Sequence, residues 1–360
     1  MAITDAPTNT ESSAPPPPAP PKQPLYESST QFKHWRFSPE QLAKSRRELN
    51  QAAVESLKKL LEEEEPGSTS SIHFLTPEEE RALVVYYARV IGSMCVRIGL
   101  SEEVEATATS YLKRFYLKNT VMDWHPMNVT ITILFLATKT SNMPISLDYY
   151  VSKLPSGKTE AADVLALEFL VAQSLNFEFS VWHAHRALWG IVLDIQSIPE
   201  IDQESTKHTH SAALQHIRNS RLTDAELIYT PSQIAMACLY LADPQLAETY
   251  LSQKGSGNML SVVQEAAAMI ERDGKGTDVG LVREIDFRLK TCKNPERVKG
   301  SKRGLTRDVW DRYEARQAKA DAAADKKRAL KATASLEARM SQDEMFGPSI
   351  SLPSGDPQSS

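Results

Sequence analysis

Two segments of this chain are almost wholly apolar and resemble each other. One begins at Pro126 and reads PMNVTITILFLA, and the other begins at Pro231 and reads PSQIAMACLYLA, 105 residues later. Proline at the first position favours the start of a helix. A helix that is apolar on every side has to be covered by other helices. Repetition after about 100 residues indicates two copies of one helical domain rather than a solenoid, whose period is shorter.

Signals for further helices surround these two segments. SPEQ at 38–41 and TPEE at 76–79 each combine a capping hydroxyl, a proline and an acidic or amide residue three positions after the cap. The helix that starts at Ser38 carries a narrow apolar stripe that needs a cover, formed by Leu42, Leu49, Ala53, Leu57 and Leu60. Other helices are predicted at about 102–118, 126–140, 146–153, 159–176, 183–197, 204–221, 231–243, 258–272 and 278–292. The fold class predicted from these patterns is all-α.

Size and charge restrict the functions that the chain can have. Its 360 residues are enough for about two domains, and 41 Lys and Arg against 46 Asp and Glu give a net charge of −5. The chain as a whole is therefore not a dedicated polyanion binder. Cys95, Cys238 and Cys292 lie far apart, as expected for reduced intracellular thiols. We expect neither a secretory signal nor a membrane span, since the longest apolar run, 129–137, is only nine residues.

Both ends of the chain have the composition of disordered segments. Residues 1–34 form a Pro-rich tail, with eight prolines in the first 24 positions, and residues 341–360 are rich in Ser, Pro, Gly and Asp. Residues 294–340 are predicted to form a basic, Ala-rich helix. The segment 293–331 contains 13 Lys or Arg and only six acidic residues, and Ala is abundant from 315 to 334. Few aromatic residues interleave these charges, which favours a solvated helix over a nucleic-acid-binding one.

The sequence contains no recognisable catalytic constellation. SGKT at 156–159 resembles the end of a phosphate loop, but it lacks the first glycine and a preceding strand. The pairs His183 and His185, and His208 and His210, have a spacing that turns helical residues away from each other, which argues against a metal site. We therefore expect no active site, no metal and no cofactor.

Two charged residues stand out against apolar surroundings. Lys139 ends the helix that begins at Pro126, and Glu168 lies within the apolar stretch 164–177. Spacing alone favours simple roles, namely a C-terminal cation that satisfies helix carbonyls and the solvated edge of an amphipathic helix. The alternative is that each charge awaits a partner, either the other charge or another protein.

Three stretches resemble a known family. KHWRF at 33–37, YLKRFYLKNTVMDWHP at 111–126 and LTDAELIYTPSQIA at 222–235 are similar to the cyclin H family of the cyclins, over roughly residues 31–295. The resemblance implies two tandem five-helix cyclin boxes, at 75–180 and 181–293, with additional N- and C-terminal helices. It places the extra N-terminal helix at 35–66, where that helix would pack outside the first box.

The resemblance also implies a function. Lys139 and Glu168 match the cyclin residues that grip the N-terminal lobe of a kinase, and Phe177 and Phe179 match side chains that pack against its regulatory helix. The expected partners are a cyclin-dependent kinase catalytic subunit, a RING-finger assembly subunit and the TFIIH core, in the nucleus. The kinase substrates would be activation loops of cyclin-dependent kinases and the RNA polymerase II C-terminal repeats.

The sequence leaves two alternatives to this interpretation. The chain could be another transcriptional cyclin of the C, K or T type, or a TFIIB-like nucleic-acid-binding cyclin-box protein, although we do not expect direct nucleic-acid binding. Two departures from the cyclin pattern also matter. TSN at 140–142 replaces residues that are acidic in many cyclins, and ERAL at 80–83 keeps only part of the substrate-docking patch of cell-cycle cyclins.

Overall fold

The computed structural model describes residues 24–64, 66–154, 159–198 and 203–293. The phosphate-loop resemblance, the basic helix predicted for 294–340 and the tail 341–360 lie wholly or largely outside these residues. Within them the secondary structure is helical and contains no strand, which confirms the all-α prediction. None of the described helices is both long and apolar enough to cross a membrane.

The chain begins with two helices that precede the first box, and six more belong to that box. The two leading helices are α1 (Thr30–His34) and α2 (Pro39–Glu64). The first box comprises α3 (Pro77–Ile98), α4 (Glu102–Phe115), α5 (Pro126–Thr140), α6 (Leu147–Ser152), α7 (Ala161–Ala166) and α8 (Glu168–Ser174). The single helix predicted for 159–176 is thus divided in two at Leu167.

The second box contains α9 to α14, and one further helix follows it. These helices are α9 (Ala184–Gln196), α10 (Gln203–Ser220), α11 (Ala225–Ile228), α12 (Pro231–Ala242), α13 (Pro244–Gln253), α14 (Leu260–Asp273) and α15 (Val279–Lys293). The prediction missed α13, although Asp243 caps it by accepting a hydrogen bond from the amide of Leu246 and Pro244 occupies its first position.

The two apolar helices that the repeat singled out are the centres of two separate cores. Helix α5 is buried along most of its length and is covered by α3, α4, α7 and α8. Helix α12 is covered by α9, α10 and α14. Two polar side chains of this core bond to backbone carbonyls, since the Tyr150 hydroxyl donates to the carbonyl of Ile131 at 2.7 Å and Thr132 donates to that of Val164 at 2.9 Å. The internal repeat therefore reflects two helical boxes, each built around one apolar helix.

Both flanking helices pack against the first box. The apolar stripe of α2 is covered at Leu42 and Ala53, whereas Leu60 at its end is half-exposed. Helix α15 buries Val282, Ile285 and Leu289 in the first core, although its sequence lies at the end of the segment 181–293 that was assigned to the second box. The second core ends with α14, because the chain returns to the first box after Asp273.

The tail predicted for residues 1–34 differs from the structure near its end. Residues 30–34 form α1, and the side chain of Ser29 caps it by accepting a hydrogen bond from the amide of Phe32 at 3.2 Å. The composition of the preceding residues concealed this short helix, whose stability comes from tertiary contacts rather than from its length.

An ionic junction joins α2, the first box and the second box. The carboxylate of Asp224, which precedes α11, accepts two hydrogen bonds from Arg46 of α2, at 2.8 and 2.9 Å, and one from Arg81 of α3 at 3.1 Å. Beside it, the buried ammonium of Lys113 of α4 donates to the carbonyl of Thr223 at 2.8 Å. Four separate parts of the chain therefore meet at one carboxylate and its neighbour.

Residues 80–83, at the start of α3, lie beside this junction, and three of their side chains have contacts within the fold. Arg81 is engaged with Asp224, and Leu83 is fully buried. Glu80 accepts hydrogen bonds from Asn50 at 2.6 Å and from the amide of Val121 at 2.9 Å, and its burial raises its pKa. The side chains of Glu80, Arg81 and Leu83 are therefore engaged in internal contacts.

Replacing Asp224 by Asn should destabilise the fold by about 3 kcal/mol at neutral pH, because the partly buried guanidinium of Arg46 loses its counter-charge and that of Arg81 keeps only Asp273, 3.6 Å away. Burial alone would raise the pKa of Asp224, but Arg46 and Arg81 outweigh it and hold the pKa well below the ordinary 3.8. A lowered folded-state pKa stabilises the protein above about pH 4, and this contribution is lost as the pH falls further. Urea titrations at several pH values measure the unfolding free energies of the native protein and the variant. The difference between the two free energies should therefore narrow below about pH 4. Glu48→Gln, at an exposed acid of α2, serves as the control. Equal stabilities of the native protein and the Asp224→Asn variant at pH 7 would contradict the prediction.

Candidate functional site

Lys139 lies in the last turn of α5, where the buried helix reaches the surface. Pro126 and the His125 side chain begin the helix, and the amide of Ser141 closes it by donating to the carbonyl of Ala137. The Lys139 ammonium lies 4.8 Å from the centre of the Phe135 ring, a cation–π contact. Because other helices cover the rest of α5, the Lys139 side chain reaches the surface at the end of this helix.

Glu168 is the first residue of α8, and the break at Leu167 brings it to Lys139. The two side chains form an ion pair, although they are 29 positions apart in the sequence. Each charge therefore has the other as a partner, which is one of the arrangements that the sequence left open. Both side chains remain partly exposed, so the pair is held at the surface and is available to a second molecule.

Phe177 and Phe179 lie on the segment that follows α8. The Phe177 side chain is 55% exposed, and its backbone is left-handed with φ of 58°, next to Asn176 with φ of 54°. A left-handed conformation is costly for a bulky aromatic residue. Phe179 is half-buried, with its ring 6.1 Å from that of Tyr111. The two phenylalanines thus have different environments, one facing solvent and one anchored in the box.

The structure adds two residues that sequence reasoning missed. Phe169 is 64% exposed and its ring lies 6.1 Å from that of Phe177, which in turn lies 6.4 Å from Phe179. Leu165, at the end of α7, is also exposed. Both side chains lie on helices whose other faces are buried, a signal that the sequence contained but that the assumed continuous helix 159–176 obscured. We call the ion pair and the three phenylalanines the aromatic patch, which comprises Lys139, Glu168, Phe169, Phe177 and Phe179.

The aromatic patch has the composition of a protein-binding surface. Exposed phenylalanines around a charged pair combine apolar area with a polar group that fixes orientation, and contiguous apolar exposure of this kind marks interaction sites. The arrangement offers no nucleophile or proton-transfer group poised for chemistry. In the part of the chain that the structure describes, no group of three His, Cys, Asp or Glu residues could hold a metal ion.

The other candidate groups take part in packing. Cys95, Cys238 and Cys292 are free and buried, and burial raises the pKa of the Cys95 thiol to about 12. His183 and His185 stack with ring centres 5.1 Å apart, and His183 is hydrogen-bonded to Thr107 at 3.0 Å. Burial lowers the pKa of His183 to about 3, so this ring is neutral at physiological pH.

Comparisons with known proteins agree with this geometry. Residues 55–180 match the model of the cyclin N-terminal domain, and residues 183–272 match that of the cyclin C-terminal domain. A putative cyclin-H of Dictyostelium discoideum is 31% identical over 223 residues, which cover 60% of this chain and 75% of that protein. The chain belongs to the cyclin H family. As a cyclin it is a non-catalytic regulatory protein, and neither the C, K or T type nor the TFIIB-like alternative is favoured.

Two solved structures share the fold of this cyclin. One is the CAK complex of Chaetomium thermophilum bound to ATP-gamma-S, with a TM-score of 0.68 and 27% identity, covering 79% of this chain and 97% of that chain. The other is the yeast TFIIK (Kin28/Ccl1/Tfb3) complex, with a TM-score of 0.57 and 30% identity, covering 68% of this chain and 100% of that chain. The similarity in each case extends over nearly the whole of the matched chain.

Phe177→Gly should leave the free cyclin as stable as the native chain or raise its unfolding free energy by up to about 1 kcal/mol, because glycine adopts the left-handed conformation without strain. Phe179→Ala provides the comparison and should lower stability by about 1 to 2 kcal/mol through its lost contact area. Chemical denaturation of the three proteins measures both effects. Destabilisation by Phe177→Gly as large as that by Phe179→Ala would contradict the prediction.

Proposed function

We propose that this cyclin binds the N-terminal lobe of a cyclin-dependent Ser/Thr kinase through the aromatic patch and thereby activates it. The observation that carries the proposal is the surface ion pair of Lys139 and Glu168 beside the exposed rings of Phe169 and Phe177. The similar CAK and TFIIK complexes support a kinase as the partner. Lys139, Glu168, Phe177 and Phe179, the residues that the cyclin resemblance indicated, form most of this proposed interface.

The mechanism follows from the rigidity of the surface. Helix α5 is buried along most of its length, so the backbone that carries Lys139 keeps its position when a partner binds. A fixed apolar surface can hold the regulatory helix of the kinase inward, which aligns the kinase's own Lys–Glu pair and its magnesium-binding Asp for phosphoryl transfer. The cyclin contributes binding free energy and orientation, and the kinase performs the chemistry.

We further propose that the cyclin functions in the nucleus within a CDK-activating kinase that joins TFIIH. In that complex the kinase would phosphorylate cyclin-dependent kinase activation loops and the RNA polymerase II C-terminal repeats. A RING-finger assembly subunit is the expected third chain, and the three components named for the yeast TFIIK complex support such an arrangement. Co-expression of all three chains tests this part, because the assembly subunit should co-purify with the cyclin and kinase.

Exchanging the two charges, with Lys139→Glu and Glu168→Lys together, should weaken kinase binding about 10- to 100-fold. The exchanged pair can still attract itself, so the fold should be retained while the charges presented to the kinase are reversed. Phosphorylation of an RNA polymerase II repeat peptide by the co-expressed kinase, titrated with each cyclin, measures the effect. The matched control is the exchange Lys44→Glu with Glu48→Lys, an exposed pair on α2.

The outcomes separate the parts of the proposal. Stimulation by the native cyclin and the α2 control, with loss in the exchanged variant, supports both the function and the site. Equal stimulation by all three would contradict the location of the interface. Failure of the native cyclin both to stimulate and to co-purify with the kinase would contradict the activator role itself.

A further inference from the structure

The segment that carries Phe177 and Phe179 is held from outside by the N-terminal helix α1 and Trp35. The carboxylate of Glu178, between the two phenylalanines, contacts Nδ1 of His34 at 2.6 Å through one oxygen and accepts a hydrogen bond from the indole Nε1 of Trp35 at 2.6 Å through the other. The Glu178 side chain is only 14% exposed, so it points toward α1 rather than outward with the patch.

A second contact fixes the same segment a few residues later. The buried Gln31 of α1 accepts a hydrogen bond from the amide of Trp182 at 2.6 Å and donates to the carbonyl of Trp182 at 3.4 Å. The side-chain amide of Gln31 therefore pairs with both backbone groups of one residue. Helix α1 is bound at both Glu178 and Trp182, so it spans the segment between the boxes.

Helix α4 holds the segment from its other side. The hydroxyl of Tyr111 donates to the carbonyl of Phe179 at 2.6 Å, and Arg114 donates to the carbonyl of Glu178 at 3.3 Å. The guanidinium of the fully buried Arg114 also lies 5.1 Å from the centre of the Trp35 ring. Trp35 thus connects the outer and inner supports of the segment.

The backbone conformation explains why such support is needed. Asn176 and Phe177 are both left-handed, and the isolated chain would favour other conformations for an aromatic residue at this position. Strained backbone persists only where its surroundings determine it, and it concentrates at sites of function. If α1 did not hold Glu178, the backbone of Phe177 would also populate conformations that are more favourable than the left-handed one.

We infer that Glu178 is a positioning residue for the kinase-binding phenylalanines, and that Trp35 is the group through which it acts. The inference rests on the proposed function and adds to it a second element, distant in sequence, that sets the shape of the binding surface. It predicts a specific kind of effect. Loss of the contact reduces the population of the binding-competent conformation, which lowers the apparent affinity for the kinase but leaves the activity of the assembled complex unchanged.

The test is a double-mutant cycle on kinase affinity with Glu178→Ala and Trp35→Phe. The phenylalanine keeps a ring for Arg114 but lacks the indole donor. Each single variant should weaken binding about tenfold, and the double variant should be no weaker than the poorer single one, because both remove the same contact. Glu178→Gln retains an oxygen that can accept from Trp35 and should recover most of the affinity. The kinase rate at saturating cyclin should equal the native rate throughout.

Glu103→Ala, at an exposed acid whose 3.9 Å ion pair with Arg186 lies elsewhere, controls for the loss of one negative charge. Additive effects in the cycle would mean that Glu178 contacts the kinase directly and would overturn the inference, as would native affinity in Glu178→Ala. If Glu178→Ala does not fold, Trp35→Phe and Gln31→Ala remove the α1 side of the contacts, and native affinity in both overturns it equally. Absence of any kinase binding by the native cyclin would instead contradict the proposed function.

Discussion

The need to cover α5 on every side determines most of this structure. A helix with no polar face is stable in water only when other elements surround it, and α3, α4, α7 and α8 supply that cover in the first box. The residues of such a helix reach solvent near its two ends, as Met127 does at the start of α5. Lys139 occupies the other end, so the same burial that stabilises the box also presents a cation at its surface.

The elements that cover α5 also provide the rest of the proposed binding surface. The break at Leu167 allows α7 and α8 to follow α5 in different directions, and it places Glu168 against Lys139. The chain then leaves α8 through two left-handed residues, Asn176 and Phe177, which turn an aromatic ring toward solvent instead of into the core. Both the exposed ring and the left-handed backbone are unfavourable in the free protein, and packing alone does not explain them. The proposed binding of a partner at Phe177 would account for both.

The sequence predicted the parts of the fold that depend on local patterns. The two apolar segments, their proline starts and their repetition identified α5 and α12, and the capping signals located α2 and α3. Contacts between distant positions were beyond such reasoning. Helix α15 has an apolar stripe that could pack against either core, so the sequence does not indicate which one it joins. The structure shows that its Ile285 lies in the first core. Phe169 looked like part of a continuous buried stretch, and α1 is too short to have a periodic pattern.

The two boxes are built from separate apolar cores, and polar contacts join them in addition to the packing of Leu222 against the first core. Asp224 with Arg46 and Arg81, and Arg221 with Glu102 and Glu105, are directional bonds that fix a geometry which apolar contact would leave adjustable. The segment with Phe177 and Phe179 runs between the boxes, and Trp182, three residues after Phe179, is tied to Gln31. The proposed binding surface therefore lies on the first box, and α1 contacts the segment that leads from it into the second. A kinase that binds this surface would be sensitive to the integrity of the whole cyclin rather than to one box, which is a physical reason for a regulatory subunit to retain both.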